Sequence, residues 1–164
     1  QEELQTARRW ISKNCIYSVV PVHHRFIDAH NIYQATLTAM KRAVMQICSI
    51  APQAPSQIVV DAMPLMLAGT PYESLPVAHF IKGETKSISI AAASIVAKVY
   101  RDELISRYGM YIPGYQLEEH KGYSTAKHIE ALDALGKSFI HRITYLKRVP
   151  HNQYRDTENQ QTIC

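Results

Sequence analysis

The chain has 164 residues, 46% of them hydrophobic and 20% charged, and 18 Lys and Arg against 14 Asp and Glu leave it at +4. Such a balance predicts one soluble globular domain with a core of its own, mildly basic (pI about 9.0) and so compatible with a polyanionic partner. It excludes a membrane span, because no apolar run is long enough, and a cysteine framework, because Cys15, Cys48 and Cys164 show no metal spacing and cannot all pair. The three read as reduced thiols of a cytosolic protein, and no signal peptide opens the chain. It opens on Gln rather than Met, so a preceding segment has to be considered.

In chain order, Leu4, Ala7 and Ile11 recur at helical spacing and predict a helix from Glu2 to Lys13, with Trp10 finishing its apolar face. CIYSVVPV is rich in β-branched residues, ends before a basic loop, His23-His24-Arg25, and predicts a strand. The adjacent histidines have no third ligand at useful spacing, which favours a solvated turn over a metal site. Asp28 is the expected N-cap of a long helix reaching about Ile47, with Asn31 in its first turn. Its expected buried face is Ile32, Ala35, Thr36, Ala39, Ala43 and Ile47, with Lys41 and Arg42 outward.

Two prolines in SIAPQAPSQ end that helix, and Gln57 to Val60 predicts a buried strand. Asp61 follows directly. A carboxylate at the C-terminal edge of a central strand is where α/β sheets build their sites, although an Asp there can also cap a turn. After a turn-rich stretch, Val77 to Ile81 predicts a second strand that leads to Gly83-Glu84. Two strand ends thus each present a carboxylate, Asp61 and Glu84, a hard-oxygen pair suited to a divalent cation such as Mg²⁺.

The segment from Lys82 to Asp102, KGETKSISIAAASIVAKVYRD, dominates the chain. Its helix is apolar or small on nearly every side, as in a helix buried against a sheet. Ser87, Ala91, Ser94, Lys98 and Arg101 fall on one narrow face at about 100° per residue. That face, with Lys82 and Lys86 near the helix start, suits a phosphodiester backbone; the same small residues also suit tight helix–sheet packing. Beyond it RYGMYIPGYQLEEH reads as turn-like, and HKGYSTAKH leads into a helix capped by Ser124 or Thr125 and ended at Gly136. His120, Lys121 and Tyr123 make a base, a cation and a ring, a set suited to a sugar-phosphate unless the ring merely packs under its loop.

These stretches carry a resemblance. KGETKSISIAAASIVAKVYRD followed by HKGYSTAKH, with FIDAHNIYQATLTAMKRAV, IVVDAM and IHRITY in order, resembles the later two-thirds of ribonuclease HII, the type 2 ribonuclease H. The resemblance runs over roughly Gln1 to Val149 and implies an α/β ribonuclease H-like domain there. That means a central mixed sheet with helices on both faces and a C-terminal helical portion. The polar stretch 150–164 is expected to be a loosely ordered tail.

It implies cleavage of the RNA strand of RNA/DNA hybrids, and of ribonucleotides embedded in DNA, with Mg²⁺ or Mn²⁺ as cofactor, by a cytoplasmic monomer. Asp61 falls on the third of four family metal-binding acids and Glu84 on the fourth, where the family pattern has Asp. The resemblance puts Lys86, Ser94 and Lys98 along the nucleic-acid backbone and Tyr123 on the ribose at an RNA–DNA junction. His141 and Arg142 match a motif taken as structural, and Asp102, past the site on the same helix, is left as a residue that supports a ligand from behind or pairs with a cation. The family's first two acids, its Gly-Arg-Gly element and its N-terminal strands have no counterpart, so this chain is expected to be impaired or inactive. The rival reading is a non-catalytic nucleic-acid-binding remnant; a purely structural domain is a third.

Overall fold

The computed structural model describes residues 2–146. Gln1 and 147–164, and with them the expected domain end at Val149, the polar tail and Cys164, lie outside the described residues. The chain forms two compact units, one up to Arg101 and one from Asp102 onward.

In the first unit α1 spans Glu2–Asn14. Ile11 is its buried residue, whereas Trp10 is 62% exposed and does not complete the apolar face as expected. The predicted strand over CIYSVVPV does not form. Residues 16–23 carry no ladder: β-branched propensity is a preference that tertiary context overrides, and Ser18 donates to Gln46 Oε1 at 2.5 Å.

Helix α2, His24–Ile50, starts earlier than expected. His23, not Asp28, is its cap, its Nδ1 accepting the Arg25 N–H at 3.2 Å, so the histidine pair opens a helix rather than forming a loop. Asn31 is not a first-turn residue but a kink (φ 67, ψ 167) whose Oδ1 accepts the Gln34 N–H at 3.0 Å, capping the long segment that follows. Of the expected buried face, Ala35 is buried and Thr36, Ala39, Ala43 and Ile47 are half-buried. Ile32 is exposed, while Met40 and Val44 pack into the core, and Lys41 is half-buried, its Nζ on the Ala68 carbonyl at 2.8 Å.

Strands β1 (Ile58–Asp61) and β2 (Val77–Phe80) pair in parallel, Asp61 opposite Phe80. Among the described residues this small two-stranded parallel sheet stands where a larger mixed sheet was expected. The core beneath it is Val60, Leu65 and Leu67. Two of these belong to the turn-rich connection, which is thus part of the core; truncating either leucine should cost roughly 2–5 kcal/mol.

Helix α3 runs Ile88–Tyr111, well beyond the expected end. RYGMY is helical rather than turn-like, and Gly109 within it is buried against Glu118 and Leu117, which a Cβ would meet at 2.9 and 3.5 Å. In the second unit α4 (Leu117–His120), α5 (Ala126–Leu135) and α6 (Ile143–Leu146) enclose a core of Tyr115, Leu117, Ala131, Leu132 and Leu146. Thr125 is the cap of α5, accepting the His128 N–H at 3.3 Å, and Gly136 ends it at φ 74. No described helix is long and apolar enough to cross a membrane. Cys15 and Cys48 are free thiols.

Candidate active site

Asp61 is the last residue of β1, and its carboxylate leaves the apolar strand for the surface. Its Oδ1 accepts the backbone N–H of Gly83 at 2.8 Å. The chain reaches Gly83 through Lys82, held in the left-handed region (φ 55, ψ 48), and enters a 3-10 turn over Gly83–Thr85. The Gly83 carbonyl accepts from both Lys86 and Ser87, at 3.0 and 2.9 Å, which locks the turn. Gly83 is there for space. A Cβ on it would lie 2.7 Å from Ile90 Cδ1 and 3.3 Å from the Asp61 Cα and Oδ1. A methyl here would have to push aside the tip of Ile90 and press on Asp61, and the bare glycine lets the turn settle on the strand end, which sets the exposed Glu84 one residue from the Asp61 contact.

Lys86 is exposed, its Nζ 5.9 Å from the centre of the Phe80 ring, and Phe80 is the ladder partner of Asp61. One cation and two carboxylates therefore belong to one strand end. Ser87 caps α3, its carbonyl accepting from Ala91 at 3.0 Å and its hydroxyl from Ile90 at 3.5 Å. Along the helix Ser94 is exposed, between Ala93 and Ala97, while Lys98 and Arg101 are half-buried. Val96, Val99 and Ile90 fill the buried side. Ser94 thus lies on an open surface of small side chains, with Lys98 at its margin rather than standing clear of it.

Tyr123 belongs to the second unit and is 52% exposed. The residues flanking it are not what the triplet reading expected. His120 is buried, its Nε2–H donating to the Tyr115 carbonyl at 2.7 Å while its Nδ1 accepts the Gly122 N–H at 3.1 Å. Lys121 spends its ammonium internally, on Ser106 Oγ at 2.6 Å and on the Glu118 carbonyl. Neither is a free base or cation; of the three, the tyrosine alone is presented outward. Its carbonyl receives Nδ1 of His128 at 3.0 Å, and His128 Nε2 lies 3.2 Å from Nε2 of His141. Burial, more than the charge of His120, holds His128 below the ordinary imidazole range, against the opposing pull of its bond to Tyr123. Arg142 stacks over the Tyr145 ring at 3.6 Å, a packing role.

Asp61 and Glu84 are oxygen donors of the kind that Mg²⁺ and Mn²⁺ take, so the donor chemistry fits a divalent cation. The set is small: among the described residues no group of three or more His, Cys, Asp or Glu is placed to hold a metal ion. Sequence reasoning missed Gly83 and His128. Gly83 carried a signal, a glycine directly before a carboxylate after a strand; the histidine closes the HKGYSTAKH stretch, whose resemblance to the family pattern was the only signal pointing to it.

The chain is matched by the family model for ribonuclease HII over residues 6–148. It is 47% identical over 119 residues to a ribonuclease HII of Levilactobacillus brevis, which covers 73% of this chain and 42% of the relative. It is 45% identical over 124 residues to a ribonuclease HII of Listeria monocytogenes serotype 4a, covering 76% and 44%, and 42% identical over the same length to that of Listeria innocua. The chain therefore matches less than half the length of each of these relatives.

Proposed function

The chain belongs to the ribonuclease HII family, and from that premise we propose that it supplies part of an endoribonuclease site acting on the RNA strand of RNA/DNA hybrids and on ribonucleotides embedded in DNA. The observation that carries this is the docking of the Gly83 N–H on the Asp61 carboxylate, which gathers Asp61, Glu84 and Lys86 at one strand end. Asp61 and Glu84 would hold Mg²⁺ or Mn²⁺. A divalent cation bound there supplies the positive charge that stabilises the phosphodiester as it is hydrolysed. Glu84 in place of the family's Asp adds one methylene to that arm.

Lys86, Ser94 and Lys98 would follow the phosphate backbone, where small side chains permit close approach and cations displace counterions. Tyr123, its backbone fixed and its ring exposed, would stack on the sugar or base and reach a 2′-OH. The same reading makes the protein a cytoplasmic monomer serving DNA replication and repair, with one family domain running to residue 149.

A second reading, binding without cleavage, is favoured by the absence among the described residues of a third ligand beside Asp61 and Glu84. One assay separates the two. A labelled duplex carrying a single ribonucleotide is mixed with the chain in Mg²⁺, in Mn²⁺ and in EDTA. Cleavage that needs the cation supports the first reading, at a rate expected to be well below that of a full-length relative. Retention of the duplex in EDTA with no cleavage in either metal supports the second.

A further inference from the structure

Three buried or half-buried imidazoles lie under the Tyr123 loop, and their hydrogen bonds fix one proton arrangement. The Nδ1 of His141 accepts from Ser138, from its N–H at 3.0 Å and its hydroxyl at 2.7 Å, so His141 in its neutral form carries its proton on Nε2. That Nε2–H can donate only if Nε2 of His128, 3.2 Å away, is bare. His128 then carries its proton on Nδ1, which is the nitrogen facing the Tyr123 carbonyl at 3.0 Å. The His120 ring stacks on His128 with centroids 4.4 Å apart and an 18° tilt, and takes the Gly122 N–H on its own bare Nδ1. The loop's exposed corner is thereby held: Gly122 by its N–H, and Tyr123 by its own N–H on the His120 carbonyl at 2.9 Å and by its carbonyl, which His128 Nδ1 shares with the Thr125 N–H at 2.8 Å.

We propose that His128, set in its Nδ1–H form by His141, is a positioning residue that adds the side-chain hold on the Tyr123 carbonyl to the two backbone bonds there, and so sharpens how well the protein distinguishes a ribonucleotide-bearing duplex from plain DNA. It touches no substrate. It acts through Tyr123, so the inference rests on the reading of Tyr123 given above. A merely structural buried histidine would fill space and satisfy its neighbours. This one instead connects Ser138, in the loop after α5, through His141 to the backbone of the exposed tyrosine.

The test uses two substitutions that divide the imidazole's functions. Asn places an N–H near the position of Nδ1 and keeps the donor for the Tyr123 carbonyl; Gln reaches toward the position of Nε2 and His141 and gives that donor up. The readout is the ratio of affinities for a duplex containing one ribonucleotide and for an all-DNA duplex of the same sequence, measured in EDTA by competition. Tyr123→Ala sets the floor of that ratio. His128→Gln is expected to lower the ratio about three-fold or more, toward the floor, and His128→Asn to keep most of it.

Equal ratios for the two variants would overturn the proposal, as would a native ratio in His128→Gln. If Tyr123→Ala leaves the ratio unchanged, the reading of Tyr123 fails and this inference falls with it; if Tyr123→Ala collapses the ratio and His128→Gln does not, the reading of Tyr123 stands and this inference alone is wrong. Long-range ¹⁵N–¹H spectra of the unsubstituted chain give an answer that needs no variant to fold: His128 in the Nδ1–H form supports the proposal, and an Nε2–H form overturns it.

Discussion

The turn that presents Glu84 and the loop that presents Tyr123 share a local plan. In each a glycine N–H, one residue before the outward-facing side chain, donates to a side-chain acceptor: Gly83 to Asp61 Oδ1, Gly122 to His120 Nδ1. In each the glycine follows a lysine in the left-handed region, Lys82 at φ 55 and Lys121 at φ 51. The acceptors differ. Asp61 is exposed and is itself a candidate metal ligand, so in the first unit the clamp and the chemistry share one residue. His120 is buried and has no outward task, so in the second unit they are separate. Substitution should therefore damage structure and activity together at Asp61, and separately around Tyr123.

The largest effect should come from breaking that shared role. Asp61→Asn keeps an oxygen to accept the Gly83 N–H and removes the charge. In a cleavage-competent form it should lose roughly 10²–10³ in rate, the scale of one electrostatic contribution at a reacting centre, with little change in thermal stability. Asp61→Ala should lose both. Rates in Mg²⁺ and melting curves for the two variants check this; an Asn variant as unstable as the Ala variant would mean that the charge, not the oxygen, holds the turn.

The glycines sharpen the comparison at a smaller scale. Gly83 has a neighbour 2.7 Å from where its Cβ would be, whereas nothing lies within 4 Å of that point at Gly122, which sits at φ 75. Gly83→Ala should cost roughly 1–3 kcal/mol through overpacking, and no change of backbone preference relieves it. Gly122→Ala should cost about 1–2 kcal/mol through the left-handed conformation, and Gly122→Asn less, because Asn tolerates that region. Denaturant titrations give both. If Asn rescued position 83 as well as position 122, the distinction between space and conformation would be wrong.

Sequence made the strand end at Asp61 and the turn at Glu84 legible as local structure, and the clamps around them much less so. Asp61 after Ile-Val-Val, Glu84 after Gly and the small-residue helix face are local patterns, and local patterns survive folding. What failed needed a partner to decide it. CIYSVVPV has strand composition, yet no strand among the described residues pairs with it; RYGMY reads as a turn by composition, but it continues α3, with Gly109 packed against Leu117 and Glu118. Lys121 looked like a cation for substrate because its sequence neighbours are His and Tyr, and Ser106, fifteen residues earlier, is what claims it. The kink at Asn31 was hidden because an Asn inside a helical pattern looks the same whether or not it caps.

Along α3 a modest effect is expected. Lys98→Ala should reduce the slope of log affinity against log salt by about one if its ammonium neutralises a phosphate, and Ser94→Ala should leave the slope unchanged. Fluorescence binding to hybrid duplex at several salt concentrations measures this. A slope equal to that of the unsubstituted chain would remove Lys98 from the phosphate track.

The smallest effect is one of pH, and it tests whether the second unit's clamp is kept apart from charge. His128 is held below its ordinary 6.5, chiefly by burial and then by the charge of His120. The groups around it are His120 from α4 and His141 from the loop after α5, with Lys127 and Glu130 on its own helix. Because the folded pKa is lowered, the unfolded chain takes up a proton at a pH where the folded chain does not. Stability from this group is present above 6.5 and declines as pH falls from there toward the folded value. Glu119, held below its ordinary 4.5 by Lys127, loses its contribution only at more acid pH, so the windows are distinct. His24 in the first unit is also lowered, mainly by burial, and declines in the same window. The difference between the unsubstituted chain and His128→Asn cancels it. That difference, followed by denaturant titration from about pH 7.5 to 5, should shrink as pH falls, since the histidine loses stability that the asparagine never had to lose. A difference that stayed constant, or grew, would mean that His128 accepts a proton in place and that its Nε2 is not kept bare by His141.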